Sequence, residues 1–338
     1  MNITGYDESR SRFVPLPSYT RDISIFAAVL VALVCVFGIA VNGFIMLVIA
    51  KTKKLHTVPN WLIFMMCATD VIQFSVVKPA QQVVTEVLHG WPFDYQSCSV
   101  FGFLAILFIA LNLFNLCYMA INRYVLIVHQ SAYQTIFSKK GTIALVVSST
   151  AFVFIALLVP FTGLWGKYGY VEKTNACSMI VDSPNSSSFS LGVSVIGFVL
   201  PLLVMLYCYV RILIFVKLQQ KKINGHNNGT KTTTMAVKKA DVKLAKVMAS
   251  IFLLYVACIL PRMALNWIDP NNQYPMAHKI ATAILLSYSL LNGIVFTLQN
   301  TQFKKSCLTF VGIDPSQVQL VEEPQSDHER QITTVSHT

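Results

Sequence analysis

Long apolar segments alternate with shorter polar ones along most of the chain. Seven of the apolar segments contain roughly 20 residues or more, the length at which a helix crosses the hydrocarbon core of a bilayer. They occupy residues 22–50, 60–84, 98–128, 141–162, 189–216, 241–266 and 277–298. The pattern predicts an all-α protein, a seven-transmembrane helix bundle within residues 22–299.

The polar segments have different predicted roles. Residues 1–21 have mixed charge and are predicted to be an N-terminal tail, and residues 217–239, rich in Gly, Asn, Thr and Lys, a flexible loop. Residues 300–312 have the pattern of a short amphipathic helix that lies on membrane lipid. Residues 313–338 are polar without periodicity, which predicts a disordered tail.

Composition and charge agree with a membrane protein. The chain is 54% hydrophobic and 12% charged, whereas a soluble domain is roughly 25% charged. A net charge of +11 would suggest nucleic acid as a partner of a soluble protein, but here the lysines concentrate in the alternate segments 51–58, 129–140 and 217–239. The positive-inside rule places these segments in the cytoplasm and the N-terminus outside the plasma membrane, with no nucleic acid as partner.

Cysteines and glycosylation motifs fit this topology. Two acceptor motifs, which begin at Asn2 and Asn185, would face the exterior. Only Cys98 and Cys177 fall where an oxidising exterior can join them, which predicts a disulfide; the alternative is two free thiols. Cys307, beyond the seventh span, is a candidate for palmitoylation, with a buried free thiol as the alternative.

Polar residues in the middle of the spans indicate a polar core. Asp70, Asn112 and Asn292 each stand in apolar sequence, and such groups face the bundle interior because their exposure to lipid is costly. A carboxylate also needs a cation or a proton. One interpretation is a core that binds sodium or water, and the other is a static hydrogen-bond network. No spacing of cysteines suggests another metal.

Charged residues at the cytoplasmic ends suggest a latch. Arg123 closes the third span and Asp241 begins the sixth. An ion pair between them would hold the two ends together, and its loss would release the sixth span. The alternative is that Arg123 extends to the membrane interface.

Together these residues give the chain a resemblance to rhodopsin-like (class A) G-protein-coupled receptors over nearly its whole length. The matching residues are Gly38-x-x-x-Asn42, Asp70, Trp91-x-Phe93, Cys98, the Asn122-Arg123-Tyr124 triplet, Cys177, Pro201 with Tyr209, Cys258-x-x-Pro261, Asn292-x-x-x-Phe296 and Phe303-Lys304-Lys305. Within that family the chain is most similar to melatonin receptors, which also have Asn-Arg-Tyr and lack the proline of the seventh span.

The resemblance implies a receptor that signals through heterotrimeric G proteins. Its switch and coupling residues would be Asn122, Arg123, Tyr124, Tyr209, Asp241, Asn292 and Phe296. Several switch positions depart from the family: Ile259 replaces a tryptophan, Gly293 a proline and Phe296 a tyrosine. These departures keep open the alternative of a quiescent or constitutively active orphan receptor.

A ligand pocket is expected among the outer halves of the third, fifth, sixth and seventh spans. Ala105 stands where amine receptors have an aspartate, and Leu286 where retinal proteins have their lysine, so we expect neither an amine ligand nor retinal. Arg262 would recognise a neutral-to-anionic ligand or pair with Glu86 or Asp269; a melatonin-like ligand is a further alternative. The candidate lining residues are Ala105, Ile109, Val193, Arg262, Met263, Asn266, Thr282 and Leu286.

Two other classes of protein fit the sequence less well. A membrane transporter would show an inverted repeat or a pair of interrupted helices, and neither is apparent. An enzyme would need a motif such as G-x-S-x-G or H-E-x-x-H, or facing acid and base groups within the membrane. The sequence has none of these, so we expect no enzymatic activity.

Overall fold

The computed structural model describes residues 6–7, 12–13, 20–181, 183–225, 239–269 and 273–314. The predicted glycosylation site at Asn2, most of the predicted loop and nearly all of the predicted C-terminal tail lie outside these residues. The described chain divides into two compact units, with the boundary between Phe296 and Thr297.

The predicted seven-helix bundle is confirmed. Within the described residues, seven helices are long and apolar enough to cross a membrane. These spans are Arg21–Lys51, Val58–Leu88, Tyr95–Val128, Lys140–Thr162, Pro184–Lys221, Val242–Leu265 and Pro275–Gln299. The fifth helix continues to Gly225 and the sixth begins at Lys239, within the segment predicted as a loop, because lysine and glutamine are good helix formers. A short helix, Gln130–Ile136, follows the third span.

Polar caps extend two spans beyond their apolar segments. The third span begins at Tyr95 because the Asp94 carboxylate accepts a hydrogen bond from the Ser97 backbone N–H at 2.6 Å. This hydrogen bond also lowers the pKa of Asp94. The fifth span begins at Pro184, where the Ser183 hydroxyl accepts from the Ser186 N–H at 3.2 Å. Both caps precede the predicted starts because a cap needs an oxygen acceptor and not an apolar residue.

Proline widens two of the spans. In the second span, the π-helical segments Gln73–Val77 and Pro79–Val84 lie on either side of Lys78. In the fifth span, Val195–Val199 is π-helical just before Pro201. Proline has no N–H to donate and its ring displaces the carbonyl four residues earlier, so the helix accommodates it with a wider turn. The widened turns change which side chains face the bundle interior.

A β-hairpin covers one end of the bundle. Tyr168–Val171 pairs with Ala176–Met179 in antiparallel register, and the turn between them contains Asn175 at a positive φ of 49°. The Cys98–Cys177 disulfide joins the hairpin to the third span, with the Cα atoms 5.2 Å apart. The helix-only prediction missed this hairpin and a second strand pair, Tyr6–Asp7 with Arg12–Phe13, because both lie outside the long apolar segments.

The second unit contains the short amphipathic helix that the sequence predicts. It runs from Thr301 to Phe310 and begins where the Asn300 side chain accepts a hydrogen bond from the Phe303 N–H at 3.2 Å. Phe303 and Cys307 are buried, whereas Gln302 and Lys305 are exposed. This four-residue spacing gives the helix one apolar face.

Candidate ligand cavity and polar core

A cavity of about 260 Å³ lies between the helices and the hairpin. We call the end of the bundle that carries the Cys98–Cys177 disulfide the disulfide end, and the opposite end the Arg123 end. The cavity contacts the hairpin at Cys177 and Ser178 and extends inward to Leu116 and Ser289. Its volume is just below the roughly 300–1,000 Å³ of drug-sized sites, so it fits a small molecule.

The structure brings together most of the predicted pocket residues. Ala105, Ile109, Arg262, Thr282 and Leu286 line the cavity. These residues come from the third, sixth and seventh spans. Four of the five positions carry apolar or hydroxyl side chains, and only Arg262 carries a formal charge.

Two predicted pocket residues lie elsewhere. Val193 packs against an apolar cluster that contains Phe103 and Phe189. Met263 follows Arg262 by one residue, which turns it about 100° around the helix axis, and its side chain is 37% exposed. The side chain of Asn266 lies outside the described residues.

The sequence-based list left out the second span, which supplies Gln73, Lys78, Gln81 and Gln82 to the cavity wall. Gln81 Nε2 donates to the Phe101 carbonyl at 2.6 Å and to the Cys177 carbonyl at 2.9 Å. The sequence feature that points to this contribution is Lys78-Pro79 inside an apolar segment, because a proline there indicates a distorted helix.

A buried polar network joins the second span, the hairpin and the seventh span. Lys279 forms an ion pair with Glu86 and donates to the Thr174 carbonyl at 2.9 Å. Asn175 Nδ2 donates to the Thr85 carbonyl at 3.1 Å and to Glu86 Oε2 at 3.3 Å. The Tyr170 hydroxyl donates to Asn175 Oδ1 at 2.6 Å, and burial raises the pKa of Tyr170. The tyrosine therefore stays protonated and acts as a donor.

Arg262 reaches a carboxylate only through a histidine. Its Nη1 donates to His278 Nδ1 at 2.7 Å, so the proton of His278 lies on Nε2, which donates to Asp269 Oδ2 at 3.2 Å. The backbone N–H groups of Gln273 and Tyr274 also donate to Asp269, each at 2.8 Å. Burial alone would raise the pKa of Asp269, but these three donors together lower it.

In the polar core, Asp70 is held by two donors. Asn112 Nδ2 donates to Asp70 Oδ1 at 2.5 Å and Ser289 Oγ donates to the same oxygen at 3.0 Å. Thr69 Oγ1 donates to Asn112 Oδ1 at 2.5 Å, which turns the amide N–H₂ toward the carboxylate. Asn292 contacts Met66 Sδ at 3.4 Å instead.

This donor set does not fit a sodium ion. A bound cation would need oxygen ligands beside Asp70, whereas Asn112 presents its nitrogen there and its oxygen is engaged by Thr69. Among the described residues, no group of three His, Cys, Asp or Glu side chains could hold another metal ion. Asp70, Asn112 and Ser289 are arranged as a hydrogen-bond network.

At the Arg123 end, Asn122 and Arg123 are buried and Tyr124 is partly exposed. Arg123 is 2% exposed, so it does not extend to the membrane interface. Asn122 Nδ2 donates to the Tyr133 hydroxyl at 3.3 Å, and Tyr124 OH contacts His129 Nε2 at 3.0 Å. Both bonds tie the third span to the segment that follows it.

The two remaining switch positions in the bundle are aromatic. Tyr209 packs against Phe252 with ring centroids 5.6 Å apart, and Phe296 is 2% exposed. The side chain of Asp241 lies outside the described residues, so the Arg123–Asp241 pair stays a prediction.

The candidate modification sites differ in exposure. Asn185 is exposed at the start of the fifth span, and its Nδ2 donates to the Leu164 carbonyl at 3.1 Å. The Cys307 thiol is buried, and burial raises its pKa to about 11. A lipid could reach this thiol only after local movement of the helix that carries it.

Seven helices around a cavity, a disulfide-linked hairpin over one end and an Asn-Arg-Tyr triplet with buried Asn122 and Arg123 at the other together define a seven-transmembrane receptor. Residues 41–296 match the model of the family described as "7 transmembrane receptor (rhodopsin family)". The chain belongs to this family, the class A G-protein-coupled receptors. Its members are multi-pass membrane receptors and not enzymes.

Individual relatives agree with this assignment. "Protein trapped in endoderm-1" of Drosophila melanogaster is 29% identical over 89% of this chain and 82% of its own length. "Melatonin receptor type 1B-B" of Danio rerio is 26% identical over 84% of this chain and 80% of its own, which confirms the predicted similarity to melatonin receptors. The crystal structure of squid rhodopsin shares the fold, with a TM-score of 0.74 at 19% identity over 86% of this chain and 81% of its own.

Proposed function

We propose that this receptor binds a small non-amine ligand in the cavity and signals through heterotrimeric G proteins. The observation that carries the proposal is the charge of the cavity wall. Among the described residues that line it, Lys78, Arg262 and Lys279 are cationic and none is a carboxylate. An amine ligand would bring a fourth positive charge without a counter-ion, at high electrostatic cost.

The same proposal places the disulfide end outside the plasma membrane. A disulfide persists in an oxidising exterior, and Asn185 is exposed near the hairpin that carries Cys177. Glycosylation at Asn2 and Asn185 is part of the proposal. Its test is glycosidase digestion of the expressed receptor: the mobility shift should diminish in Asn2→Gln and Asn185→Gln and vanish in the double variant. A persistent shift in the double variant would count against these sites.

Signalling in this scheme is allosteric. Ligand binding favours the conformation in which the sixth span lies farther from Arg123, because the ligand contacts that conformation more favourably. An Arg123–Asp241 pair would oppose this movement. We therefore expect Asp241→Ala to raise basal signalling, and an unchanged basal level would remove Asp241 from the switch. Palmitoylation of Cys307 would attach the terminal helix to the membrane.

The experiment that tests the function is a G-protein activation assay in cells that express the receptor, with and without melatonin. Basal signal that Arg123→Ala abolishes at equal surface expression would show an active receptor. An added response to melatonin would identify a melatonin-like ligand. Silence with every G protein at normal surface expression would overturn the signalling proposal.

A quiescent or constitutively active receptor is the second candidate. The observation that favours it is the network around Asp70, where Asn112 and Ser289 already satisfy Oδ1 and no sodium is needed to restrain the core. Basal signalling that does not change between sodium and choline buffers would support this view. A fall in basal signalling with sodium would show that the ion binds and that the donor set rearranges.

A further inference from the structure

The positive charge of the Lys78 side chain has no compensating contact among the described residues. Its side chain is 6% exposed and lines the cavity. Among the described residues, it has no hydrogen-bond partner and no acidic residue within ion-pair distance. A buried ammonium group without a partner is strongly unfavourable, so its retention requires something that compensates the charge.

The other two cations of the wall are connected to carboxylates, one directly and one through a histidine. Lys279 is paired with Glu86, and Arg262 is connected to Asp269 through His278. The wall therefore has three cationic side chains, and only two carboxylates are connected to them. Both carboxylates lie outside the cavity lining. The remaining positive charge belongs to Lys78.

The helix around Lys78 is built in a way that holds it inward. π-helical segments lie on both sides of the residue, and its backbone N–H donates to the Gln73 carbonyl. Phe74, fully buried in the same turn, packs in a cluster with Cys35 and Leu286. Single π turns occur frequently at functional sites. The position of Lys78 is thus fixed by the backbone.

Most of the remaining cavity surface is apolar, although polar side chains such as Gln73, Asn112 and Ser289 also line it. Its apolar side chains near the middle of the bundle include Ile106, Ile109, Leu113, Phe198 and Ile259. A ligand that fits both parts must combine an anionic group with a compact apolar body. Free inorganic anions lack the apolar part, and neutral apolar molecules would leave Lys78 uncompensated.

We propose that the cavity binds an amphipathic anion, a carboxylate or phosphate ester on a short apolar body, with Lys78 Nζ as its counter-ion. This inference deepens the proposed function and rests on it. Arg262 is not the primary counter-ion because its Nη1 is already directed to His278. Its role is to position His278 beside the cavity.

The test measures binding without signalling. The receptor, purified into phosphatidylcholine nanodiscs, is melted in the presence of octanoate, octyl phosphate, octanol or octylamine. We expect both anions to raise the melting temperature at concentrations about 10- to 100-fold lower than octanol requires, as one charge-assisted contact provides. Octylamine should not stabilise the receptor.

Two variants assign the effect to Lys78. Lys78→Gln should melt no lower than the wild type without ligand, because it removes an uncompensated buried charge, and should lose the preference for anions. Lys140→Gln, which changes an exposed lysine, should keep that preference. Equal stabilisation by octanol and octanoate would overturn the inference, and so would a preference for anions that remains in Lys78→Gln. Neither result would contradict the proposal that the receptor binds a non-amine ligand. Stabilisation by octylamine alone would overturn both.

Discussion

The two ends of the bundle are stabilised in different ways. The disulfide end has a covalent bond, a buried ion pair and side-chain hydrogen bonds that join two spans to the hairpin. The Arg123 end relies on aromatic packing and on contacts within the third span and the segment after it. The Oδ1 atoms of Asn122 at this end and of Asn292 in the adjoining polar core are buried without a hydrogen-bond partner among the described residues.

On the proposed function, this difference would separate the end that recognises the ligand from the end that switches. Each unsatisfied buried acceptor costs about 1–3 kcal/mol, so a rearrangement that satisfies Asn122 and Asn292 gains free energy. At the disulfide end, Glu86, Asn175 and Lys279 are already engaged, whereas Gln73 Nε2 and the Tyr255 and Tyr288 hydroxyls in the cavity wall are buried without a partner among the described residues. On the proposed function, a ligand at the disulfide end would shift an equilibrium between conformations of the Arg123 end.

The largest effect is expected from removing the disulfide. Cys98→Ser, Cys177→Ser and the double variant should each lower the melting temperature by roughly 5–15 °C, because loss of a native disulfide costs about 2–5 kcal/mol. Thermal melting in nanodiscs measures this. The double variant is the control, because its melting temperature should equal that of each single variant. A double variant as stable as the wild type would show that hydrogen bonds alone hold the hairpin.

The next effect is expected from the buried ion pair. Glu86→Gln leaves Lys279 without its carboxylate at a site where the two side chains are 0% and 7% exposed. Breaking one partner of such a pair costs about 3–5 kcal/mol, so the melting temperature should fall by roughly 5–15 °C, which is comparable to the effect of losing the disulfide. Glu86→Gln combined with Lys279→Met should recover part of the loss. If Glu86→Gln melts at the same temperature as the wild type, the ion pair does not stabilise the disulfide end.

The Arg123 end should respond in signalling more than in stability. Asn122→Asp places a carboxylate next to buried Arg123 and still allows a hydrogen bond with the Tyr133 hydroxyl. The new pair should hold the third span in its present conformation and lower basal signalling about 3- to 10-fold, equivalent to about 1 kcal/mol. Asn122→Ser is the control, because it loses the amide without adding charge. Equal basal signalling in both variants would contradict a charge restraint at this end.

The sequence predicts the bundle better than the cavity, for physical reasons. Apolar length alone places a helix across a bilayer, which is why all seven spans were found. The rotation of each helix depends on its neighbours and on local distortion. Met263 therefore lies outside the cavity lining, and Lys78 is absent from the predicted lining residues because the π turns beside Pro79 are not visible in periodicity. The connection from Arg262 through His278 to Asp269 joins two spans, and no local pattern specifies it.

The smallest effect is expected at the loop beside the cavity, through pH. The Asp269 pKa is lowered because three hydrogen bonds outweigh the effect of burial. The lowered pKa contributes stability above the unfolded value of about 3.9, and this contribution is lost as the pH falls through the folded value. Between pH 7 and pH 3, melting temperatures of the wild type should therefore fall more steeply than those of Asp269→Asn. Asp22→Asn, at an exposed position, should follow the wild type. Parallel curves for all three would show that the connection between Arg262 and His278 does not depend on the charge of Asp269, and that this part of the disulfide end is held by its helices alone.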